Sequence, residues 1–540
     1  MKLVFIYPFI NRTSNTPIKW LPLSAAILIG NLRKKFSEII FHQFDLEEEI
    51  RDAISKKKLD GHYLDLLDQF IYMECDFATD RDLIKYNKFL TDVINYLKLG
   101  EYDHYLFSFY NRHPVGIKAN ILLAKYLKKR YKNKKIIFGG IYGYGNDYTK
   151  HSFEEFDFID SFVIGRGEAA LKEILINLLK NKRIKKIYQN QPKRRLWELP
   201  DFKSFKSFRY FCYSSKDLES LYGFKFGKKI KTDEKIVFIP YFFSQGCFWR
   251  KCAYCAISRT KEFYHKEIDK ITKDLARLKK VYQTKYFVFF NNNFNSNLDF
   301  SKKLLRSFIK NKLNILWTDS FNLVVLDEEL IDLLARAGCF RMDIGTTVLN
   351  SRIQKLYNNI LQDNSYLKNL KKISQRGIWT HINLIANLPY QYSVKKDKAI
   401  LDKYMEYIDG VTLNSYRRYS NSDLTINHEK YNLENINDEF LSNKERRKRT
   451  LPFIERSLIL PFIERSFKGT IEEREELFEK NYIELKEFFR EHKKFLNKID
   501  TIHLYLLGHL YSSLGFTNKN KIKEIVAIIS KTSNWFARLK

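Results

Sequence analysis

Short apolar runs alternate with helix-length amphipathic segments twice along this chain, and that alternation restricts its fold more than any other feature. In the first 190 residues the runs are LVFIYP (3–8), EIIFHQF (38–44), HYLFSF (104–109), KKIIFGG (134–140) and SFVIG (161–165). Between them lie stretches such as PLSAAILIGNLRKKF and VGIKANILLAKYLKKRY, with apolar residues at helical spacing. Strands alternating with helices of this length pair in parallel through right-handed crossovers. The predicted class is therefore α/β, with a doubly wound, Rossmann-like sheet over residues 1–190. Such a sheet takes ligands at the carboxyl ends of its strands. Three of those ends, SFYNRHP, GGIYGYGN and GRGE, are rich in glycine or small polar residues that let backbone approach a bulky ligand.

A basic stretch with two prolines, NQPKRRLWELPDF (190–202), reads as part of a linker over 191–235. The alternation then resumes with IVFIPYFFS (236–244), YFVFF (286–290), ILWTDSF (315–321), FRMDIG (340–345), THINLIA (380–386) and GVTLNSY (410–416). Six strand–helix units within 236–430 fall short of the usual eight. They predict a partial, open (β/α)6 barrel with its active site at the carboxyl ends of the strands. From 431 to 540 the pattern is charged and helical, which predicts a helical C-terminal domain.

Composition narrows the functional classes. Hydrophobic residues at 44% exclude a disordered chain. The 95 Lys and Arg against 63 Asp and Glu leave a net charge of +32, which would suit a nucleic acid, an anionic membrane face or an acidic substrate. Much of that excess is Lys spread along the whole chain amid Ile and Asn, the pattern of a solvated surface, so nucleic acid is not the expected partner. No run of about 18 apolar residues is present, and no membrane span is expected. Cys75, Cys212 and Cys339 are scattered singly, and the start at Met1 lacks a basic-then-apolar leader; both lead to the expectation of a reducing cytoplasm.

The other three of the six cysteines fall together in SQGCFWRKCAYCAISRT, directly after the first barrel strand. Soft thiolates spaced C-x4-C-x2-C on one loop can converge on a metal centre. Zinc would require a fourth ligand, for which His265 is the nearest candidate. Three ligands without a fourth fit a [4Fe–4S] cluster with one open iron. Ordinary packing of the thiols is the third reading.

The loop resembles the signature of radical S-adenosylmethionine (SAM) enzymes, whose usual spacing is C-x3-C-x2-C. Here one extra residue separates Cys247 from Cys252. The wider gap and the GCFW lead-in are similar to those of cobalamin-dependent members, including peptide-maturation and methyltransferase-like ones. The resemblance implies a [4Fe–4S] cluster on Cys247, Cys252 and Cys255, whose open iron chelates SAM and cleaves it reductively to methionine and a 5′-deoxyadenosyl radical. It further implies SAM contacts at Tyr254, just before the third cysteine, and at Asn291 and Asn292 in YFVFFNNNF, where acids often stand. Thr346 in MDIGTT and Asn383 in THINLIA complete that set.

The segments PLSAAILIGNLRKK, SFYN, FGGIYGYGN and VIGRGEAALKEIL resemble, in order, the B12-binding domain that precedes many radical SAM cores. Ser108, Gly139, Gly140, Gly165, Gly167 and Glu168 fall on the matching positions. The first-strand loop holds no histidine and His113 follows the third strand, so cobalamin is expected without a histidine ligand. The implied activity is methylation of an unactivated carbon of a peptide or small-molecule substrate, fed by an electron donor such as flavodoxin or ferredoxin. Phe242, Phe243, Trp249 and Trp317 near strand ends are candidates for a dry wall, and no general base can be assigned. Two alternatives stand beside this reading: radical rearrangement, cyclisation or oxidation without methyl transfer, and a basic, zinc-stabilised nucleic-acid-binding protein.

Overall fold

The computed structural model describes residues 1–7, 21–61, 63, 80–108, 114–141, 156–190, 198–205, 212–214, 235–255, 263–347, 349–357, 365–386, 390, 393–415, 422–435, 462–464 and 471–492. They divide into two compact units, one reaching residue 205 and one starting at Cys212.

The first unit is built on a six-stranded sheet of β1 (Lys2–Tyr7), β2 (Ile40–Asp45), β3 (His104–Ser108), β4 (Ile136–Ile141), β5 (Ser161–Gly165) and β6 (Ile187–Asn190). Its order is β2-β1-β3-β4-β5-β6 and every neighbouring pair is parallel. β1 is buried from Leu3 to Tyr7, as a strand covered on both faces must be. The strand order reverses at β1, which makes the ends of β1 and β3 the switch point where doubly wound sheets bind ligands. The sequence missed β6, a four-residue strand with the half-polar sequence IYQN. Residues 198–205 are packed rather than free: Asp201 N–H donates to Ala26 O (2.8 Å), and the fully buried Gln43 side chain donates to Ser204 Oγ (2.7 Å).

The second unit holds β9 (Ile239–Tyr241), β12 (Tyr286–Phe289), β13 (Leu316–Phe321), β14 (Cys339–Thr347), β15 (Trp379–Ala386) and β16 (Gly410–Ser415) in that spatial order, all parallel. Each strand lies beside its predecessor, so the sheet winds in one direction, and no pair joins β9 to β16 among the described residues. This is the predicted partial barrel. The short ladders of β7 (Cys212–Ser214) with β8 (Lys235–Val237), and of β17 (Leu433–Asn435) with β18 (Phe462–Glu464), lie outside the main sheet.

Helices between the strands cover one face of this sheet. Asn297 and Asp327 cap two of them, Leu298–Lys310 and Glu328–Arg336, by accepting from Phe300 N–H (3.0 Å) and Leu330 N–H (2.8 Å). Beneath the helices Trp317 stacks between Phe289 (5.0 Å) and Phe294 (4.8 Å), and its indole N–H donates to Ala337 O. Trp317 and Phe243 are thus core residues on the helix side of the barrel, a correction to their candidacy as a wall around substrate. The helix Ile471–Glu491, expected in a separate C-terminal domain, packs on β15 and β16. It is also tied to the helix Lys395–Asp402 by Lys398–Glu484 and His492–Asp402 contacts, each 3.3 Å.

The turn into β14 depends on Gly338, which has φ +88° and lies so close to β13 that a Cβ would sit 1.9 Å from Ile315 O. Gly338→Ala combines left-handed strain with a backbone clash. It should lower unfolding free energy by about 3 kcal/mol or more, read as a drop in denaturant midpoint at unchanged m-value.

Candidate active site

After β9 the chain enters β10 (Ser244–Gln245), which pairs antiparallel with β11 (Tyr264–His265), Ser244 opposite His265 and Gln245 opposite Tyr264. The thiol segment is therefore a loop closed at its neck. A buried clasp reinforces the closure. Lys266 N–H donates to Phe243 O (2.8 Å), and its ammonium donates to Asp274 Oδ2 (2.5 Å) and to the Tyr241 hydroxyl (3.0 Å). Tyr241 in turn donates to Asp274 Oδ2 (2.8 Å), and burial followed by the Asp274 charge pushes its phenol well above the ordinary range.

Within the loop, Gly246 and Arg250 have φ of +87° and +53°. Arg250 lies between Cys247 and Cys252, so the left-handed turn falls in the stretch that carries the extra residue. Such a turn costs a non-glycine residue roughly 1–2 kcal/mol. Cys255 N–H closes a turn on Cys252 O (3.2 Å). Ala253, fully buried between them, donates to Tyr357 O (2.9 Å) and accepts from Leu424 N–H (2.8 Å). Tyr254 packs beside Tyr357 (5.4 Å between centroids) against an apolar cluster of Ile353, Tyr390, Leu424, Tyr431 and Leu433. None of the three thiols is in a disulfide, and each is half-buried.

Among the described residues, no three His, Cys, Asp or Glu side chains gather as they would around one metal ion. His265 lies at the neck, stacked on Phe300 (3.9 Å). A zinc site draws all its ligands to about 2.3 Å or less from a single ion, whereas an iron–sulfur cube takes one thiolate at each of several separate irons. Three soft, accessible donors strung along one backbone-anchored loop fit the cluster.

The residues expected to touch SAM divide in two. Asn291 is buried, and its amide is engaged by protein: Oδ1 accepts from Phe243 N–H (3.1 Å) and Ser244 N–H (2.9 Å), while Nδ2 donates to Asp319 Oδ2 (2.6 Å). Thr346 is fully buried, with its hydroxyl on Asn383 O (2.9 Å). Asn292 is exposed and donates to Gly246 O (3.2 Å); Tyr254 and the Asn383 side chain are partly exposed. Sequence reasoning missed Asp319. Burial pushes its carboxyl well above the usual range, against the hydrogen bonds from Asn291 and Ser320. Its signal was a lone acid inside an apolar strand pattern.

On the sheet face opposite the helices, register pairs Thr318 with Arg341, Asp343 with His381 and Asn383 with Thr412. Arg341 donates to Asp343 Oδ1 through Nε (3.1 Å) and Nη2 (2.5 Å) and lies over the Trp379 ring. His381 shares a 2.6 Å hydrogen bond with Thr412, and burial, then the Arg341 charge, holds it well below its ordinary pKa and therefore neutral. In the first unit, Gly139 and Gly140 lie in β4, Gly165 ends β5, and Gly167 and Glu168 open the following helix. Glu168 is buried against Arg166 (2.5 Å). Ser108 ends β3, its side chain outside the described residues, as is His113.

Residues 241–392 match the family model of the Radical SAM superfamily. The chain carries a radical SAM domain. The match begins at the last residue of β9 and takes in the thiol loop and every strand through β15. Among solved structures, the chain resembles the radical SAM methyltransferase TsrM from Kitasatospora setae, solved with tryptophan substrate and a SAM analogue. The TM-score is 0.51 at 12% identity, over 79% of this chain and 75% of that one, a likeness of fold. The cobalamin-dependent radical SAM enzyme OxsB aligns at TM-score 0.47 and 14% identity, over 84% of this chain and 56% of that one. Coproporphyrinogen III oxidase from Escherichia coli aligns at 0.27 and 16% identity, over 44% and 57%. No curated protein sequence matches the chain. No helix among the described residues is long and apolar enough to cross a membrane.

Proposed function

We propose that the chain is a cobalamin-dependent radical SAM methyltransferase acting on an unactivated carbon of a peptide or small molecule. The observation that carries the proposal is the pairing of two architectures in one chain. A doubly wound sheet with its switch point between β1 and β3 precedes a partial barrel whose first strand leads into the three-thiol loop. The fold likeness to TsrM spans 79% of the chain, and TsrM is a methyltransferase.

Cys247, Cys252 and Cys255 are the residues that would hold the cluster, with Tyr254 and Asn383 partly exposed in the same domain to meet SAM. Gly139 and Gly140 near the end of β4 and Gly165 at the end of β5 would offer bare backbone to a corrinoid, with Gly167 opening the helix that follows. When bound, the cluster supplies the electron that cleaves SAM and the corrinoid carries the methyl group. The chain's part is to hold each group and to exclude water from it. We place the enzyme in the cytoplasm, where free thiols persist, with flavodoxin or ferredoxin as reductant.

Anaerobic reconstitution with iron, sulfide and methylcobalamin, followed by incubation with SAM and reduced flavodoxin, tests the proposal. Formation of both 5′-deoxyadenosine and S-adenosylhomocysteine is expected. Deoxyadenosine alone would favour a radical rearrangement, cyclisation or oxidation, and neither product would end the radical reading.

A further inference from the structure

We infer that Asn291 and Asn292, with Asp319 behind them, form a clamp that positions Cys247 for cluster binding; the inference rests on the thiol loop being the cluster site. The two amides grip one short stretch of chain from both polarities. Asn291 Oδ1 takes the consecutive N–H groups of Phe243 and Ser244, at 3.1 and 2.9 Å. Asn292 Nδ2 reaches Gly246 O at 3.2 Å, the carbonyl immediately before Cys247. Four residues of backbone leading to the first thiol are thus held from the carboxyl end of the adjacent parallel strand, β12.

Asp319 fixes which way the Asn291 amide faces. An amide can rotate to present either its oxygen or its nitrogen, and only the oxygen can accept two N–H groups. Asp319 Oδ2, 2.6 Å from Nδ2, accepts from that nitrogen, while Oδ1 accepts Ser320 N–H at 2.8 Å. Both oxygens of Asp319 and both ends of the Asn291 amide are engaged, in a site where Asn291 and Asp319 are 4% and 2% exposed. A closed set of partners at this burial specifies one geometry. Asn291 and Asp319 are positioning residues: they act on the cluster through the backbone and Cys247.

The polarity of the network supplies a decisive test, because it predicts that exchanging its two side chains preserves it. Asn291→Asp alone faces one carboxylate against another; Asp319→Asn alone faces one amide against another and weakens the orientation. The double exchange, Asn291→Asp with Asp319→Asn, restores acceptors towards Phe243 and Ser244 and a donor towards residue 291. The full chain would be reconstituted anaerobically with iron and sulfide. Iron and sulfide per chain, the electron paramagnetic resonance spectrum after reduction, and the rate of iron release to a chelator would then be measured. Each single variant should release iron about tenfold faster than the parent and show a shifted spectrum, with the exchange returning both to within about twofold. Asn292→Ala, which alters an exposed side chain and leaves the core intact, should speed release in the same direction by a smaller factor. Unchanged release in both single variants and in Asn292→Ala overturns the clamp, as does an exchange no better than the single variants. A parent chain that takes up no iron overturns the cluster reading itself, a separate outcome.

Discussion

Replacing Cys247, Cys252 and Cys255 together by Ala should abolish the iron–sulfur absorption band and reduce SAM cleavage to background, a loss of at least about a thousandfold, while the chain stays folded. Thiolate is the only soft donor type the loop offers, and no His, Cys, Asp or Glu group elsewhere among the described residues gathers to take its place. The thiols are half-buried and outside the apolar core, so their removal creates no cavity of consequence. The neck contacts of Ser244–Gln245 with Tyr264–His265, and the Lys266–Asp274–Tyr241 clasp, involve none of them. Circular dichroism matching the parent, together with lost iron, is the expected pair of results. Cleavage of SAM surviving in the triple variant would remove the assignment.

A second large effect concerns stability. Asp397, in the helix Lys395–Asp402, is 5% exposed, its Oδ1 has no hydrogen-bond partner, and burial raises its pKa from 3.8 to about 7. The folded chain therefore keeps a proton that the unfolded chain releases near pH 4. Between those values the folded state binds more protons, so stability falls as pH rises, and it levels above pH 7. Integrated over roughly three units, the loss attributable to this carboxyl reaches about 4 kcal/mol. Asp397→Asn keeps the shape and removes the charge. Chemical denaturation at pH 4.5 and 7.5 should show the parent losing more stability than the variant by a large part of that amount. Parallel pH profiles for the two proteins would refute the assignment.

Strand positions were legible because a strand of a parallel sheet must be apolar on both faces and short. β1, β5, β12, β13 and β15 therefore begin and end within a few residues of the runs that announce them. The thiol loop was legible for a different reason, since its donors lie within nine residues of one another. What could not be read are features made by contacts across sequence. The β10–β11 ladder has two residues per strand, too few for any periodicity. The Asn291–Asp319 pair spans 28 residues and depends on two strands being neighbours. Asn291 and Thr346 looked available to a ligand because a polar residue near a strand end usually is; only the packed chain shows their hydrogen bonds already taken. Trp317 was misplaced for a related reason, as an aromatic near a strand end fits either face until register is known.

The closed neck also bears on the order in which the enzyme is assembled. In a small zinc domain the metal ion itself ties distant chain segments together, so the polypeptide remains unfolded until the ion arrives. Here the ends of the thiol segment are joined by peptide hydrogen bonds and by the Tyr241 hydroxyl, which meets Lys266 and Asp274 across the neck, so protein contacts alone contribute to closing the loop. On the reading that this loop holds the cluster, the expected outcome is a chain that folds before any metal binds, seen as cooperative unfolding of the iron-free protein. Iron and sulfide delivery would then be the last maturation step, and a chain that has lost its cluster should regain it on anaerobic addition of iron and sulfide without a refolding step.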